Sequence, residues 1–353
     1  MRNEIENKIF NFVINNTYIE KDLIIDIGIY LCKKYEYESN NLKLESIVWD
    51  YTLKAATEHN DVYAIATLLF YKEYSESIFD TKFYFNDDYT LRGLIEALEE
   101  NIQKDALIYF ILGRANFVGR GAELDDEKAI DYFNKANLLG IDIAKLFVYE
   151  LEEDYDNLFK ASNILINKDP SNHIIKFYLG YCYYYGYGTN QNYKKVYELF
   201  KYTFDIEDNH PIDCYFLESR YILGLCYFHG YEVTKDLNIA LKLFKHSALE
   251  YLPNAKYALA ITALLLNMKV NPQEIFEILK ESALKGYLPA VRKVMLCLRV
   301  GYGTDINNDL YNQYKEYYDH YKENVNIFSD LGKEADACPL FNIDDSLIID
   351  EEC

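Results

Sequence analysis

The stretch Leu179-Gly180-Tyr181-Cys182-Tyr183-Tyr184-Tyr185-Gly186-Tyr187-Gly188 constrains this chain most, because it comes back. It returns as Leu112-Gly113 to Gly119-Arg120-Gly121, as Leu223-Gly224 to Gly230, and more weakly as Val294-Met295 to Gly301-Tyr302-Gly303. Each copy is an apolar helical turn closed by Gly-x-Gly, or by Gly-x-Glu in the third copy. A glycine where a helix must stop favours positive φ. The glycine after Leu112, Leu179 and Leu223 removes a side chain where two helices would otherwise be held apart.

Small residues open the first helix of each unit at Ala64, Ile108, Ala144, Ile175, Ser219, Ala255 and Ala290, at spacings of 44, 36, 31, 44, 36 and 35. A period of about 36 residues built from two helices implies an α-solenoid, because one hairpin cannot bury its apolar face alone. Pro253 and Pro289 fall in the first turn of a helix, where proline is tolerated. Residues 1–43 hold two amphipathic stretches (Ile5, Ile9, Phe12, Val13; Leu23, Ile27, Tyr30, Leu31) and read as helices capping the open end of the array. Residues 44–105 read as a degenerate repeat with connecting helices: a helix from Leu44 to a stop at Asn60-Asp61, a second from Val62 to about Tyr74, a loop over 75–90 and a helix from Leu91 to Gln103. Residues 106–325 form the repeat array, with an insertion at Ile206–Asp213. Residues 326–353 are expected to be a flexible acidic tail.

Residues 106–140, 175–203, 219–251 and 290–318 resemble Sel1-like repeats, the longer-looped relatives of the tetratricopeptide repeat. Leu179, Gly180, Tyr183, Gly186 and Gly188 match the pattern in order. So do Leu112, Gly113, Gly119, Gly121, Lys128, Ala129, Lys135, Ala136 and Gly140. Weaker units at 44–74, 144–168 and 255–286 extend the resemblance. It implies an all-α, right-handed α-solenoid of helix-pair repeats and the role of an adaptor or scaffold for other proteins. A cysteine-rich branch of the family staples each hairpin with a disulfide and is linked to β-lactam binding or hydrolysis. This sequence lacks two cysteines per repeat, so the hydrolase (β-lactamase-like) reading stays the alternative.

The formal charge is −21. That opposes a nucleic-acid backbone binder or an anionic-lipid surface, both of which need a basic face. No stretch approaches the ~20 apolar residues of a membrane span, and the opening residues lack the apolar core of a secretory signal. Seven cysteines without C-x-x-C spacing suit a reducing cytoplasm. Cys182, Cys226 and Cys297 share a register with Ala115 and Thr262, which reads as a small residue in a tight core. The six histidines form no metal motif, so no metal or cofactor is expected. No nucleophile elbow or P-loop occurs, and the Gly-x-Gly loops follow helices rather than strands, so the chain is read as a non-enzyme.

The expected partner is a protein or peptide held on the first helices. On helical geometry, positions two before, two after and five after the repeat Leu share one stripe. They name Phe110, Arg114 and Phe117; Phe177, Tyr181 and Tyr184; Tyr221 and Phe228; Tyr257; and Arg292 and Arg299, with Leu225, Ile261, Leu264 and Leu296 completing the pattern. An aromatic groove with arginines suits a peptide that carries a carboxylate. The other reading is that superhelical winding buries these rings inside the array. The acidic tail, with Leu347-Ile348-Ile349, is a further candidate to occupy the groove.

Overall fold

The structure, a computed structural model, describes residues 3–15, 21–35, 44–70, 88–100, 105–119, 121–204, 214–248, 252–266 and 271–323. Among these the fold is all-α, with consecutive helix hairpins and no strand. The chain divides into two compact units: Met1–Asn192 with Asn209–Tyr215, and Tyr193–Asp208 with Phe216–Cys353. The expected tail and the insertion Ile206–Asp213 lie outside the described residues.

In the first unit, α1 (Glu4–Asn15) and α2 (Lys21–Lys34) bury Ile9, Val13, Ile27 and Leu31 completely. α3 (Leu44–His59) packs on α2 and ends at Asn60, which takes φ 49°. Asp61 then caps α4 (Val62–Phe70). Its Oδ1 accepts the N–H groups of Tyr63 (3.0 Å) and Ala64 (2.9 Å), and its Oδ2 takes Lys34 Nζ and the Tyr35 hydroxyl, each at 2.6 Å. This carboxylate is buried, and four donors offset its desolvation. The helix expected from Val62 to Tyr74 is seen as far as Phe70; the loop expected over 75–90 lies outside the described residues except for its end, where α5 (Asp88–Glu100) already begins.

The repeat hairpins follow: α6 (Ala106–Val118) with α7 (Asp126–Leu138), α8 (Ala144–Leu151) with α9 (Tyr155–Lys168), and then α10 (His173–Tyr185). α11 (Tyr193–Phe200) opens the second unit. It is followed by α12 (Cys214–His229) with α13 (Leu237–Ala248), α14 (Pro253–Leu265) with α15 (Pro272–Leu284), and α16 (Leu288–Val300) with α17 (Asn308–Glu323). A Cβ on Gly113 would meet the Phe133 ring at 2.7 Å, and one on Gly224 would meet Phe244 at 2.6 Å. The second-helix phenylalanine therefore lies on bare backbone, the close approach that the Leu-Gly pair implied.

Four loops share one geometry. Gly119, Gly186, Gly230 and Gly301 are left-handed, with φ from 66 to 83°. Their N–H groups close the helix by donating to the carbonyls of Ala115, Cys182, Cys226 and Cys297. The residue six further on, Asp125, Asn192, Asp236 or Asn307, donates its N–H back to the carbonyl nine residues before it. Asp125, Asp236 and Asn307 then cap the second helix with side-chain oxygens.

The second glycine of the loop has a different task. A Cβ on Gly188 would fall 2.6 Å from the Tyr155 carbonyl oxygen and 2.9 Å from Phe159 Cβ, at the start of the preceding hairpin's α9. Gly303 lies as closely on Pro272 and Phe276 of α15. Beside this contact the Tyr187 ring stacks on Tyr155 at 4.1 Å, and Tyr231 stacks on Tyr193 at 4.3 Å. The loops after α10, α12 and α16 thus latch their hairpins to the preceding one. Pro253 is the first residue of its helix and Pro289 the second, so both stand in the first turn, one position apart in register.

Candidate interaction surface

The first helices carry the residues singled out as a partner-binding stripe, and the structure divides them. Phe110, Arg114, Phe177, Tyr184, Tyr221, Phe228 and Tyr257 are buried; Phe117 and Tyr181 are half-buried; Arg292 and Arg299 are exposed. Leu225, Ile261 and Leu264 are buried as well, and Leu296 is half-buried.

Some of these rings meet the next hairpin, whereas Tyr221 and Phe228 lie on Phe244 of their own hairpin's α13. Phe110 and Phe117 meet Phe147 of α8 edge-on at 5.8 and 5.7 Å. Phe177 lies 5.1 Å from Tyr215 at the start of α12, and Tyr257 lies 5.4 Å from Tyr287, just before α16. Phe110, Phe117, Phe177 and Tyr257 therefore line seams between hairpins, and the expectation of a continuous aromatic groove is corrected for the seven buried residues. A helical wheel names a stripe; it does not name the neighbour that covers it. Of the candidates, Tyr181 and Phe117 in the first unit and Arg292 and Arg299 in the second are left at the surface.

Arg114 shows how burial is tolerated: its guanidinium lies over the Phe147 ring at 5.4 Å. Tyr178 is buried too, donating to Glu150, with the Tyr215 hydroxyl 3.4 Å away. Burial, then the Glu150 charge, pushes its phenol well up. Tyr181 packs against Phe177, Tyr185 and Tyr187 with ring centroids 4.6 to 5.8 Å away.

Three thiols of the array are sealed, while Cys32 of α2 is half-buried. Cys182, Cys226 and Cys297 are fully buried, and burial pushes each thiol up to about 12. A thiol held protonated is a poor nucleophile and metal ligand. His229 is half-buried against Phe228 and Tyr231, and desolvation, followed by the Lys235 charge, lowers it to about 4. Among the described residues no group of three or more His, Cys, Asp or Glu side chains is placed to hold a metal ion, and no helix is long and apolar enough to cross a membrane.

The family described as Sel1 repeat matches residues 106–141, 176–202 and 217–250. Over these segments the chain is similar to Sel1 repeats. Each matched segment takes in a Gly-x-Gly or Gly-x-Glu loop, the whole of the second helix and all or most of the first. The unmatched hairpin α16–α17 shares the Sel1 loop geometry, from the left-handed Gly301 to the Asn307 N–H returning to Leu298. Among solved structures, a Sel1 repeat protein from Oxalobacter formigenes is similar at 19% identity, covering 65% of this chain and 92% of that one, with a TM-score of 0.48. A protective antigen of uropathogenic Escherichia coli strains, c5321, which displays an SLR fold, is similar at 14% identity over 85% of this chain and 76% of its own, with a TM-score of 0.31. No curated protein matches the sequence. Sel1 repeats commonly serve as scaffolds for protein interactions.

Proposed function

We propose that this protein is a non-catalytic adaptor that holds a protein or peptide segment on its Sel1 hairpins, in a reducing compartment that suits its free thiols. The observation that supports this most is the pair of exposed arginines on α16, at positions that bear buried or half-buried rings in the hairpins around α6, α10 and α12. Aromatic and arginine side chains left at a surface are the usual anchors of an interface. Tyr181 is the matching candidate in the first unit. The hydrolytic alternative needs a nucleophile beside a base, and the three array thiols are buried and protonated.

The test is affinity capture from the native lysate with intact protein, Tyr181→Ala and Arg299→Ala. Each variant should lower recovery of a specific partner by about fivefold or more, with an unchanged far-ultraviolet circular dichroism spectrum. Equal recovery by all three proteins would remove both residues from the interface. Turnover of ester or β-lactam substrates by purified protein would replace the adaptor reading with an enzymatic one.

A further inference from the structure

The seam positions set the last described hairpin apart. Two before and five after the first-helix Leu, α6 carries Phe110 and Phe117, α10 carries Phe177 and Tyr184, and α12 carries Tyr221 and Phe228. All are buried or half-buried. In α16 the same two positions carry Arg292 and Arg299, and both are exposed. Seven residues apart, they stand on one stripe about 10 Å from each other. Half-buried Met295 and Leu296 lie between them. Where inner hairpins offer an aromatic seam, the last described one offers cation, apolar step, cation.

The sequence beyond α17 carries the opposite order. Asp344-Asp345 is followed by Leu347-Ile348-Ile349 and then by Asp350-Glu351-Glu352. Residues 330–353 hold eight acids and one base. The tether is ample: α17 packs on α16 and ends at Glu323, and the 21 residues to Asp344 can span up to about 70 Å. A segment tethered this way acts at a local concentration on the order of millimolar.

We propose that Asp344–Glu352 of this chain docks on the α16 face, its carboxylates on the Arg292 and Arg299 guanidiniums and Leu347–Ile349 over Met295 and Leu296. Guanidinium and carboxylate pair through two parallel hydrogen bonds, which fixes orientation as well as charge. The segment covers the seam that another hairpin covers elsewhere. The docking stands on charge and register alone. Only its consequence rests on the adaptor reading: an acidic partner must displace the chain's own segment.

The experiment uses the full chain with Arg292→Lys and Arg299→Lys, which keep the charge and supply amines. Dilute protein is treated with a carbodiimide, and the zero-length links are mapped by mass spectrometry. Links from the two new amines to carboxylates within Asp344–Glu352, inside one molecule, are expected. They should fall about fivefold or more in 0.5 M salt, or when those five acids are changed to Asn and Gln. The exposed pair Lys280–Glu277, 3.0 Å apart, reports that the chemistry worked. A Lys280–Glu277 link without tail links overturns the proposal. So do links made only between two chains, shown by mixing isotopically labelled and unlabelled protein, or links to other acids in place of the tail. Tail links without any recoverable partner would leave the docking standing and sink the adaptor reading; partners without tail links would do the reverse.

Discussion

Glu232 stands where the α10 loop has Gly188 and the α16 loop has Gly303, and it adopts φ 57°. A side chain in that region is strained by about 1–2 kcal/mol. Glu232→Gly should therefore stabilise the α12–α13 hairpin by about 0.5–1 kcal/mol, part of the relief being lost to the freer unfolded chain; a fall in the urea midpoint would show that Glu232 makes a contact that matters more. His229 carries the clearest pH dependence. Its folded value is lowered from 6.5 to about 4, so the unfolded state binds the proton more readily. The stability it contributes is fully present above pH 6.5 and is lost as pH falls from 6.5 towards 4. His229→Gln should flatten the decline in Tm between pH 7 and pH 4.5 relative to the parent; parallel curves would show that other groups cause it.

At the scale of the element, the two glycines of one loop make separable predictions. Gly186 and Gly188 have similar φ, 76 and 62°. A Cβ on Gly186 meets Gln191 Cγ at 3.1 Å and backbone only at 3.4 Å, whereas one on Gly188 meets backbone of α9 at 2.6 Å. Gly186→Ala should cost about 1–2 kcal/mol, and Gly188→Ala about 2–4 kcal/mol because the latch must also shift. Equal losses in denaturant melts would mean that Gly188 acts through φ alone. Much of this element was legible in the sequence. Leu-Gly spacing gave the close helix approach, Gly119, Gly186 and Gly301 gave the helix stops, and the register shared by Cys182, Ala115 and Thr262 gave a buried small site. Helix periodicity and turn chemistry are local, so they can be read along the chain. The caps Asp125 and Asn307, each six residues after a loop glycine, were equally local signals that went unread. The seam was not legible, because whether Phe110 meets solvent or Phe147 depends on a hairpin 37 residues away. The latch between Gly188 and Tyr155 is hidden for the same reason.

For the molecule as a whole, the seam positions set α16, with Arg292 and Arg299, apart from α6, α10 and α12, which carry rings there. Arg292→Phe with Arg299→Phe would restore on α16 the ring pattern that inner hairpins bury. The expected outcome is concentration-dependent self-association by sedimentation velocity, since an open apolar seam recruits another surface; a double variant that behaves as the parent would show that charge at these positions is incidental. The loop latch carries a further meaning. Because the loop glycines Gly188 and Gly303 rest on the start of the second helix of the hairpin before, the mechanical unit there is offset from the sequence unit. Excising α16 and α17 at their loop boundaries would strip Pro272 and Phe276 of their cover, leaving a frayed α15 behind. A graft or shortened version keeps its integrity when the cut instead retains the downstream loop, so a hairpin and its follower's glycine turn are inherited as one piece.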